Sequence, residues 1–530
     1  MTDEIQPMVD GKTSSSKIIL VSMGEIESIG CRALHAYLKD KGIDIELIFL
    51  KDRIGNEIPD IHDSDIETLL GVIREKDPAL VGLSFFSGMF RDAVRITERL
   101  QDELKLFVLW GGIHAIVRPE ESMDTADAVC IGEGEEALVD FFQRFVHGGR
   151  YEESPGFWVR RDGVIHRNEH RLLIQDLDTI PQNDYEDQDK TYIRNDGTVY
   201  LGEPYFDDTG RSRYFQSSFF VQATRGCPYD CTFCSESALK KLKTPGYKYF
   251  RTKSISRTID ELLHAKKKFP NLKDVGFRDE IFAYSGESLV TFCREYKEKI
   301  GLPFRTNLHP RQITEERIQP MVEAGLYELH TGIQSGSYRV RNEVFDRNTS
   351  DELLLKVASI VKATKITAAY DIITDNPLET EDDRDDSIEF LLQLPLPYDL
   401  RLFSLCHFPE TRLTAQALEE GIITYEDVEG YDDKSKTNWR MKLNKNESSG
   451  ELHWNLTLSL LSKSFIPRGL IRHIYYSEFW RRNLGLLKLL VRITNIVKTT
   501  MKGIEYLFKG KIDLAYVFTQ WRDVFNLSKY

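Results

Sequence analysis

The sequence predicts an α/β protein in three parts: an N-terminal doubly wound, Rossmann-like parallel sheet, a central partial (β/α)6 barrel, and a mostly helical C-terminal extension. Three observations carry that reading. Short apolar runs alternate with amphipathic helical stretches in two separate series. Glycines follow the strand ends of the first series, and three cysteines spaced C-x3-C-x2-C, in RGCPYDCTFC, open the second. At 530 residues the chain is too long for one hydrophobic core, so several domains are expected.

Residues 1–16 are polar and Ser-rich and read as a flexible leader. The first domain, 17–150, starts with KIILVSMG, an apolar strand ended by Gly24, followed by a helical stretch with a glycine stop. IDIELIFL, ALVGLSFF, LFVLWGG and ADAVCIGEG supply four more strands, separated by helices such as DSDIETLLGVIREKDP and closed by EEALVDFFQRFVHGG. In open sheets of this kind ligands sit outside the carboxyl ends of the strands, and several of those ends here are glycine-rich. That edge presents Ser84, Gly111, Gly112, His114, Gly132, Glu133 and Gly134 as candidate binding residues. Residues 151–213 read as a linker, with a hairpin turned at Asp162-Gly163. From 214 to 430 strand and helix alternate through six β/α units, with polar residues after strand ends, as a partial barrel requires. Residues 431–530 form the basic helical region.

The chain is 41% hydrophobic and 29% charged, as a globular protein is. Its net charge of −14 argues against a general nucleic-acid binder, which needs clustered Lys and Arg. The N-terminus has no apolar core of a secretory signal, and seven cysteines, an odd number, suit a reducing compartment, so a cytoplasmic location is expected. The acidity is uneven. From Leu461 to Tyr530 there are 13 Lys or Arg against 4 Asp or Glu, which gives this stretch +9 and the rest −23.

Structural zinc needs four ligands, and neither a second knuckle nor a nearby histidine accompanies Cys227, Cys231 and Cys234. Three thiolates from one tight loop suit a 4Fe-4S cluster with one iron left open to another ligand. Cys31, Cys130, Cys293 and Cys406 fall in helix or strand patterns and read as buried small hydrophobes.

The spacing, after a strand at the start of a β/α series, resembles the radical S-adenosylmethionine (radical SAM) family. That resemblance implies that the open iron chelates SAM and that the cluster cleaves it to a 5′-deoxyadenosyl radical. It further implies cofactor contacts from Phe233 beside the adenine, from Asp279 and Glu280 after the second strand, from Gln334 and Ser335 in GIQSGS, and from Asp375 in DIITDNPLET. Gln334 stands where the family usually has Glu, which keeps hydrogen bonding and loses the charge.

GGIHA at 111–115 and IGEGEEAL at 131–138 resemble the cobalamin-binding domain that precedes the barrel in one large radical SAM class. Other cobalamin domains use a D-x-H-x-x-G loop to ligate cobalt. Asp60-Ile61-His62 lacks that glycine, so His62 reads as a solvated loop residue; the resemblance implies that cobalamin binds without a histidine on cobalt.

Arg481, Lys488 and Arg492 share one face of the C-terminal region, continued by Lys498, Lys502 and Lys509, opposite Leu486, Leu490, Ile493, Ile496 and Val497. No uncharged apolar run is long enough to span a bilayer. Two readings stay open: a helical cap over the barrel mouth, or an amphipathic surface helix in peripheral contact with anionic lipid.

The resemblance implies a cobalamin-dependent radical SAM enzyme that methylates an unactivated carbon of a small-molecule or lipid-like substrate, through the 5′-deoxyadenosyl radical and methylcobalamin. The implied cofactors are a 4Fe-4S cluster, SAM and cobalamin, and the implied partner is an electron donor such as flavodoxin or ferredoxin. The alternative with the same cofactors is cyclisation or rearrangement without net methyl transfer. A cobalamin and iron–sulfur sensor is a third reading from another class.

Overall fold

The computed structural model describes residues 16–53, 59–204, 218–429 and 449–508. The leader up to residue 15, residues 54–58, the junction at 205–217, residues 430–448 and the tail from 509, with Lys509, lie outside the described residues, as does the side chain of Lys502. The chain divides into two compact units, the first holding most residues up to 205 and the second residues 174–179 and 206 onward.

The first unit is built on a nine-stranded sheet. Its strands are β1 (Lys17–Met23), β2 (Asp44–Leu50), β3 (Leu80–Ser84), β4 (Phe107–Gly111), β5 (Ala128–Cys130), β6 (Phe157–Arg161), β7 (Val164–Arg167), β8 (Lys190–Ile193) and β9 (Val199–Leu201). Their spatial order is β7-β6-β5-β4-β3-β1-β2-β8-β9. The pairs from β5 through β8 are parallel, and β6, β7 and β9 add antiparallel edges. The Val, Ile and Leu runs of β1 to β4 are buried because helices cover both faces of such a sheet. Trp110 fills the centre and donates its indole N–H to Thr97 Oγ1 at 2.9 Å.

The stretch read as a linker does more than connect. The hairpin at Asp162-Gly163 forms and extends the sheet beyond β5, and a second hairpin, β8–β9, extends it beyond β2. Four- and three-residue strands are too short for alternation to stand out. The signal was local: TYI and VYL flank an Asn-Asp-Gly turn, with Gly197 at φ +84°.

The second unit contains six parallel strands: β10 (Ser218–Val221), then, after a two-residue ladder of β11 (Thr224–Arg225) with β12 (Arg251–Thr252), β13 (Asp274–Phe277), β14 (Phe304–Asn307), β15 (Leu326–Gln334), β16 (Thr367–Thr374) and β17 (Asp399–Ser404). The six pair in sequence order, the topology of an opened barrel. Helices Ile255–Lys268, Gly286–Glu295, Glu315–Glu323, Asp351–Ala363 and Glu381–Gln393 fill the crossovers. Ser254, Thr314, Ser350 and Thr380 cap four of them by accepting a first-turn N–H. Buried Phe277, Phe282, Phe292, Tyr296 and Phe304 pack edge and face between sheet and helices.

The C-terminal helices include Ser449–Leu461, Arg468–Tyr476 and Leu484–Phe508. Leu456, Leu458, Leu460 and Trp454 are buried, so the first of these is enclosed. Tyr475 donates to Asp385 at 2.8 Å, Arg472 pairs with Glu389, and Lys498 pairs with Asp399 at 2.8 Å, which ties the region to the last crossover helix and β17. Lys498 thus belongs to the packed side, rather than to a free basic face. The exposed apolar stripe is Leu486, Leu489, Ile493, Val497, Met501 and Ile504, a helical period that overlaps the expected one.

Candidate active site

The cysteine loop starts where β10 ends, and one buried carboxylate holds its approach. Asp279, just past β13, accepts from Ala223 N at 2.8 Å, Thr224 N at 2.6 Å and Thr224 Oγ1 at 2.7 Å, all through Oδ1. The parallel pairing of β10 with β13 brings these segments together. Oδ2 of the same carboxyl is buried and makes no hydrogen bond among the described residues. Burial pushes the Asp279 pKa up to about 6, against the pull of its three donors. Gly226 then turns the chain at φ +82°, where a Cβ would stand 2.6 Å from Tyr249 O, so only glycine fits.

Cys227 and Cys234 are half-buried and Cys231 is buried. Arg347 donates from Nη1 to Cys231 Sγ at 3.3 Å and from Nη2 to Gly332 O at 2.8 Å, so one guanidinium joins the loop to β15. Thr232 donates to Val344 O at 2.6 Å, and Phe233 packs edge-on against Phe345 with centroids 4.8 Å apart. Burial drives the Cys227 thiol up to about 11 and Cys234 further, with the carboxylates of Glu236 and Glu280 adding to both. Thiols in such surroundings give up their protons when a metal group binds.

The three sulfurs are not gathered around a point. Among the described residues, the group of three His, Cys, Asp or Glu ligand atoms lying within 4.8 Å of one another is His35, Asp184 and Asp189. Three thiols on one tight loop, not all within 4.8 Å of one another, are the donor set of an iron–sulfur cluster rather than of a closed four-ligand zinc site.

Glu280 is exposed at the surface, with many protein atoms crowded near its carboxyl. That desolvation, with the neighbouring carboxylates of Glu236 and Asp279, pushes it up to about 7. Gln334 ends β15 at φ +71° and folds its amide over Gly332, where any Cβ would collide with it. Ser335 is buried, accepting from Ser337 N at 3.2 Å and lying 3.3 Å from Ser387 Oγ. Asp375, at φ +58° past β16, accepts from Asn455 Nδ2 at 3.2 Å. Asp279, Glu280 and Asp375 therefore follow carboxyl ends of strands in the six-stranded sheet, Gln334 is the last residue of another of its strands, and Phe233 lies in the loop after β11. Cys406 is half-buried rather than enclosed.

In the first unit the edge residues fall on adjacent strands. Ser84 pairs with Gly111 in register, and Gly132, Glu133 and Gly134 follow the next strand, β5. Gly112 has φ +91°, and a Cβ there would meet Phe85 O at 2.5 Å. Among the described residues, none but its chain neighbours comes within 4 Å of a Cβ built on Gly111, so that backbone stays open to close approach. His114 lies beneath this edge: it is 3% exposed and rings with Phe85 and Phe90 at 5.6 and 4.7 Å. Burial and the nearby Arg118 lower its pKa to about 4, so it is neutral at pH 7. His62 is exposed, as a solvated loop residue should be.

A nine-stranded doubly wound unit with a glycine-lined edge and a six-stranded β/α unit with a three-thiol loop define a protein of cobalamin and radical SAM chemistry. Comparison with known proteins agrees. Residues 16–142 match the B12 binding domain model and residues 221–391 the radical SAM superfamily model. The chain is 23% identical over 427 residues to an uncharacterised methyltransferase of Pyrococcus horikoshii, covering 78% of this chain and 84% of the relative. An anaerobic magnesium-protoporphyrin IX monomethyl ester cyclase of Cereibacter sphaeroides is 23% identical over 279 residues, 50% of this chain and 40% of that one. The fold is that of the radical SAM methyltransferase TsrM from Kitasatospora setae, solved with cobalamin and a 4Fe-4S cluster bound, with a TM-score of 0.59 at 15% identity over 91% of this chain and 100% of that one. The chain belongs to the radical SAM enzymes that carry an N-terminal B12-binding domain. Its cofactors are cobalamin, SAM and a 4Fe-4S cluster.

Sequence reasoning missed Arg347, which lies 116 residues from Cys231 and within no recognisable motif. It also missed that Asp279 holds the loop.

Proposed function

We propose that this enzyme methylates an unactivated carbon of a small molecule. The observation that carries the reading is the three-thiol loop, backed by the Asp279 oxygen that its neighbours leave unpaired. Similarity over most of its length to a methyltransferase supports methyl transfer in particular. When bound, the cluster and SAM supply a 5′-deoxyadenosyl radical and cobalamin the methyl group.

Cys227, Cys231 and Cys234 would hold the cluster, with Arg347 stabilising the Cys231 thiolate by a charge-assisted bond. Asp279 Oδ2 would accept from the SAM ammonium while Oδ1 keeps the loop in place. Glu280, Gln334, Asp375 and Phe233 would complete the SAM site, and Ser335 would act through its hold on Ser337 N. Ser84, Gly111, Gly112, Gly132, Glu133 and Gly134 would form the cobalamin edge, with neutral His114 supporting it from below. An electron donor such as flavodoxin or ferredoxin would reduce the cluster.

The test is anaerobic reconstitution with cobalamin, methyl-deuterated SAM, a strong reductant and an extract of the source cells. 5′-Deoxyadenosine, S-adenosylhomocysteine and a deuterated product together are expected. The cyclase similarity, which spans half of this chain, favours one competing outcome: deoxyadenosine with an altered, unlabelled product.

No helix among the described residues is long and apolar enough to cross a membrane. The exposed stripe of Leu486, Leu489, Ile493 and Val497, near Arg481, Lys488 and Arg492, suits peripheral contact with anionic lipid. The protein is expected to float with phosphatidylglycerol vesicles at low salt and to stay behind with phosphatidylcholine alone. Leu489→Glu combined with Ile493→Glu should abolish flotation. Equal behaviour on both vesicle types would remove the lipid reading.

A further inference from the structure

The six-stranded sheet carries a polar cluster that the cofactor contacts above do not use. Sequential parallel strands joined by right-handed crossovers place their helices on one face, which leaves the other face to line the barrel. Register identifies residues sharing that inner face: Asn307 opposite His330, Gly332 opposite Asp371, and Asp371 opposite Arg401.

There Arg401 clamps Asp371 through two parallel bonds, Nε to Oδ1 at 2.6 Å and Nη2 to Oδ2 at 2.8 Å. Its Nη1 donates to His330 Nδ1 at 2.9 Å. A guanidinium has no acceptor, so His330 Nδ1 must accept, and the neutral ring then donates from Nε2 to Glu328. The network runs Asp371, Arg401, His330, Glu328 across three strands.

Two features mark it as a recognition surface. Its four side chains keep 17–23% of their surface accessible, whereas a structural ion pair in a dry interior would be enclosed and often no better than apolar packing. Asp371, Arg401 and His330 also lie three or four residues before Thr374, Ser404 and Gln334, which places them roughly 10 Å below the strand ends at about 3.3 Å per residue, and Glu328 lies two residues deeper. A molecule standing on it would reach toward the carboxyl ends where the SAM contacts are proposed.

Hydrogen-bond accounting selects the ligand. Among the described residues Arg401 commits three of its five N–H groups, leaving two donors. The Asp371 carboxylate keeps a lone pair on each oxygen beside them. A hydroxyl both donates and accepts and so matches this mixture. An acyl chain would leave it unpaired, and a phosphate would face the carboxylates.

We propose that the inner-face network of Asp371, Arg401, His330 and Glu328 binds the substrate, and that this substrate is a water-soluble, hydroxyl-bearing small molecule. The inference rests on the radical methyltransferase reading and narrows its substrate. A site built to pair hydroxyls discriminates steeply against analogues that lack them.

The test loads the full-length enzyme with cluster and cobalamin and supplies methyl-deuterated SAM with either the aqueous or the chloroform phase of a source-cell extract. A deuterated product that arises from the aqueous phase and gains mass on acetylation is expected. With the substrate purified from that phase, Arg401→Gln and Asp371→Asn should each raise KM at least thirtyfold, while SAM cleavage without substrate changes less than threefold. The double variant Asp371→Arg/Arg401→Asp restores an ion pair in reversed order. A merely structural pair would be rescued by it, so recovery of the wild-type KM would overturn the proposal, as would a product confined to the chloroform phase. His330→Gln, which keeps one acceptor, provides an independent reading: unchanged KM would also count against the network. If wild-type enzyme forms neither deoxyadenosine nor labelled product, the methyltransferase reading falls first, and this inference with it.

Discussion

Replacing Cys231 with alanine is expected to abolish SAM cleavage while cobalamin binding persists. Cys231 is the most enclosed of the three thiols, and Arg347 is positioned to stabilise its thiolate at 3.3 Å. Loss of this ligand leaves two thiols to hold a cluster and strands a buried guanidinium opposite a methyl group. Deoxyadenosine formation should fall at least about a thousandfold, equivalent to some 4 kcal/mol of barrier. Iron and sulfide per chain, deoxyadenosine by mass spectrometry and retained cobalamin would be measured on the same preparation. A variant that keeps full iron content and cleaves SAM would refute the cluster assignment. One that loses cobalamin as well would point to collapse of the chain instead.

The second large effect is expected at Asp279. Asp279→Ala leaves Ala223 N, Thr224 N and Thr224 Oγ1 without their acceptor in a buried setting. At about 1–3 kcal/mol for each of the three orphaned donors, destabilisation of about 3–9 kcal/mol follows. Asp279→Asn keeps an acceptor oxygen and should cost far less. The two replacements also differ with pH. In the fold the Asp279 pKa is raised to about 6 by burial, above the usual value near 3.9 for an unfolded aspartate. The folded state therefore holds the proton more tightly, and its contribution is full below about pH 4 and lost as pH rises through 6. Wild type should lose up to about 3 kcal/mol relative to Asp279→Asn between those limits. Urea midpoints compared at pH 4.5, 6 and 7.5 would measure this. A constant difference across that range would mean that the carboxyl titrates alike in both states.

Much of this architecture was legible in the residues. β1 to β4 stand out as apolar runs punctuated by glycine or followed by capped helices, because strands buried on both faces leave little room for polar side chains. The cysteine loop was legible because its three thiols lie within ten residues. Arg347 was not, since its meaning depends on a fold that brings distant segments together. Asp279 was recognisable as a polar residue after a strand, but only the structure shows one oxygen holding the loop approach and the other unpaired. Likewise the inner-face network spreads over β15, β16 and β17, and no local spacing relates Asp371 to Arg401 or His330.

The strand β8 has a bearing on how the protein can be dissected. It pairs residue by residue with Leu47 to Leu50 of β2, although residues 174–179, which precede it, belong to the other compact unit. The polypeptide thus leaves the first unit and returns before departing for good. A fragment cut at residue 150 would lay bare the β2 backbone as a sticky margin prone to self-association. A fragment ending near residue 204 keeps that margin sealed, so domain-exchange chimaeras and isolated B12-binding fragments should take their boundary there.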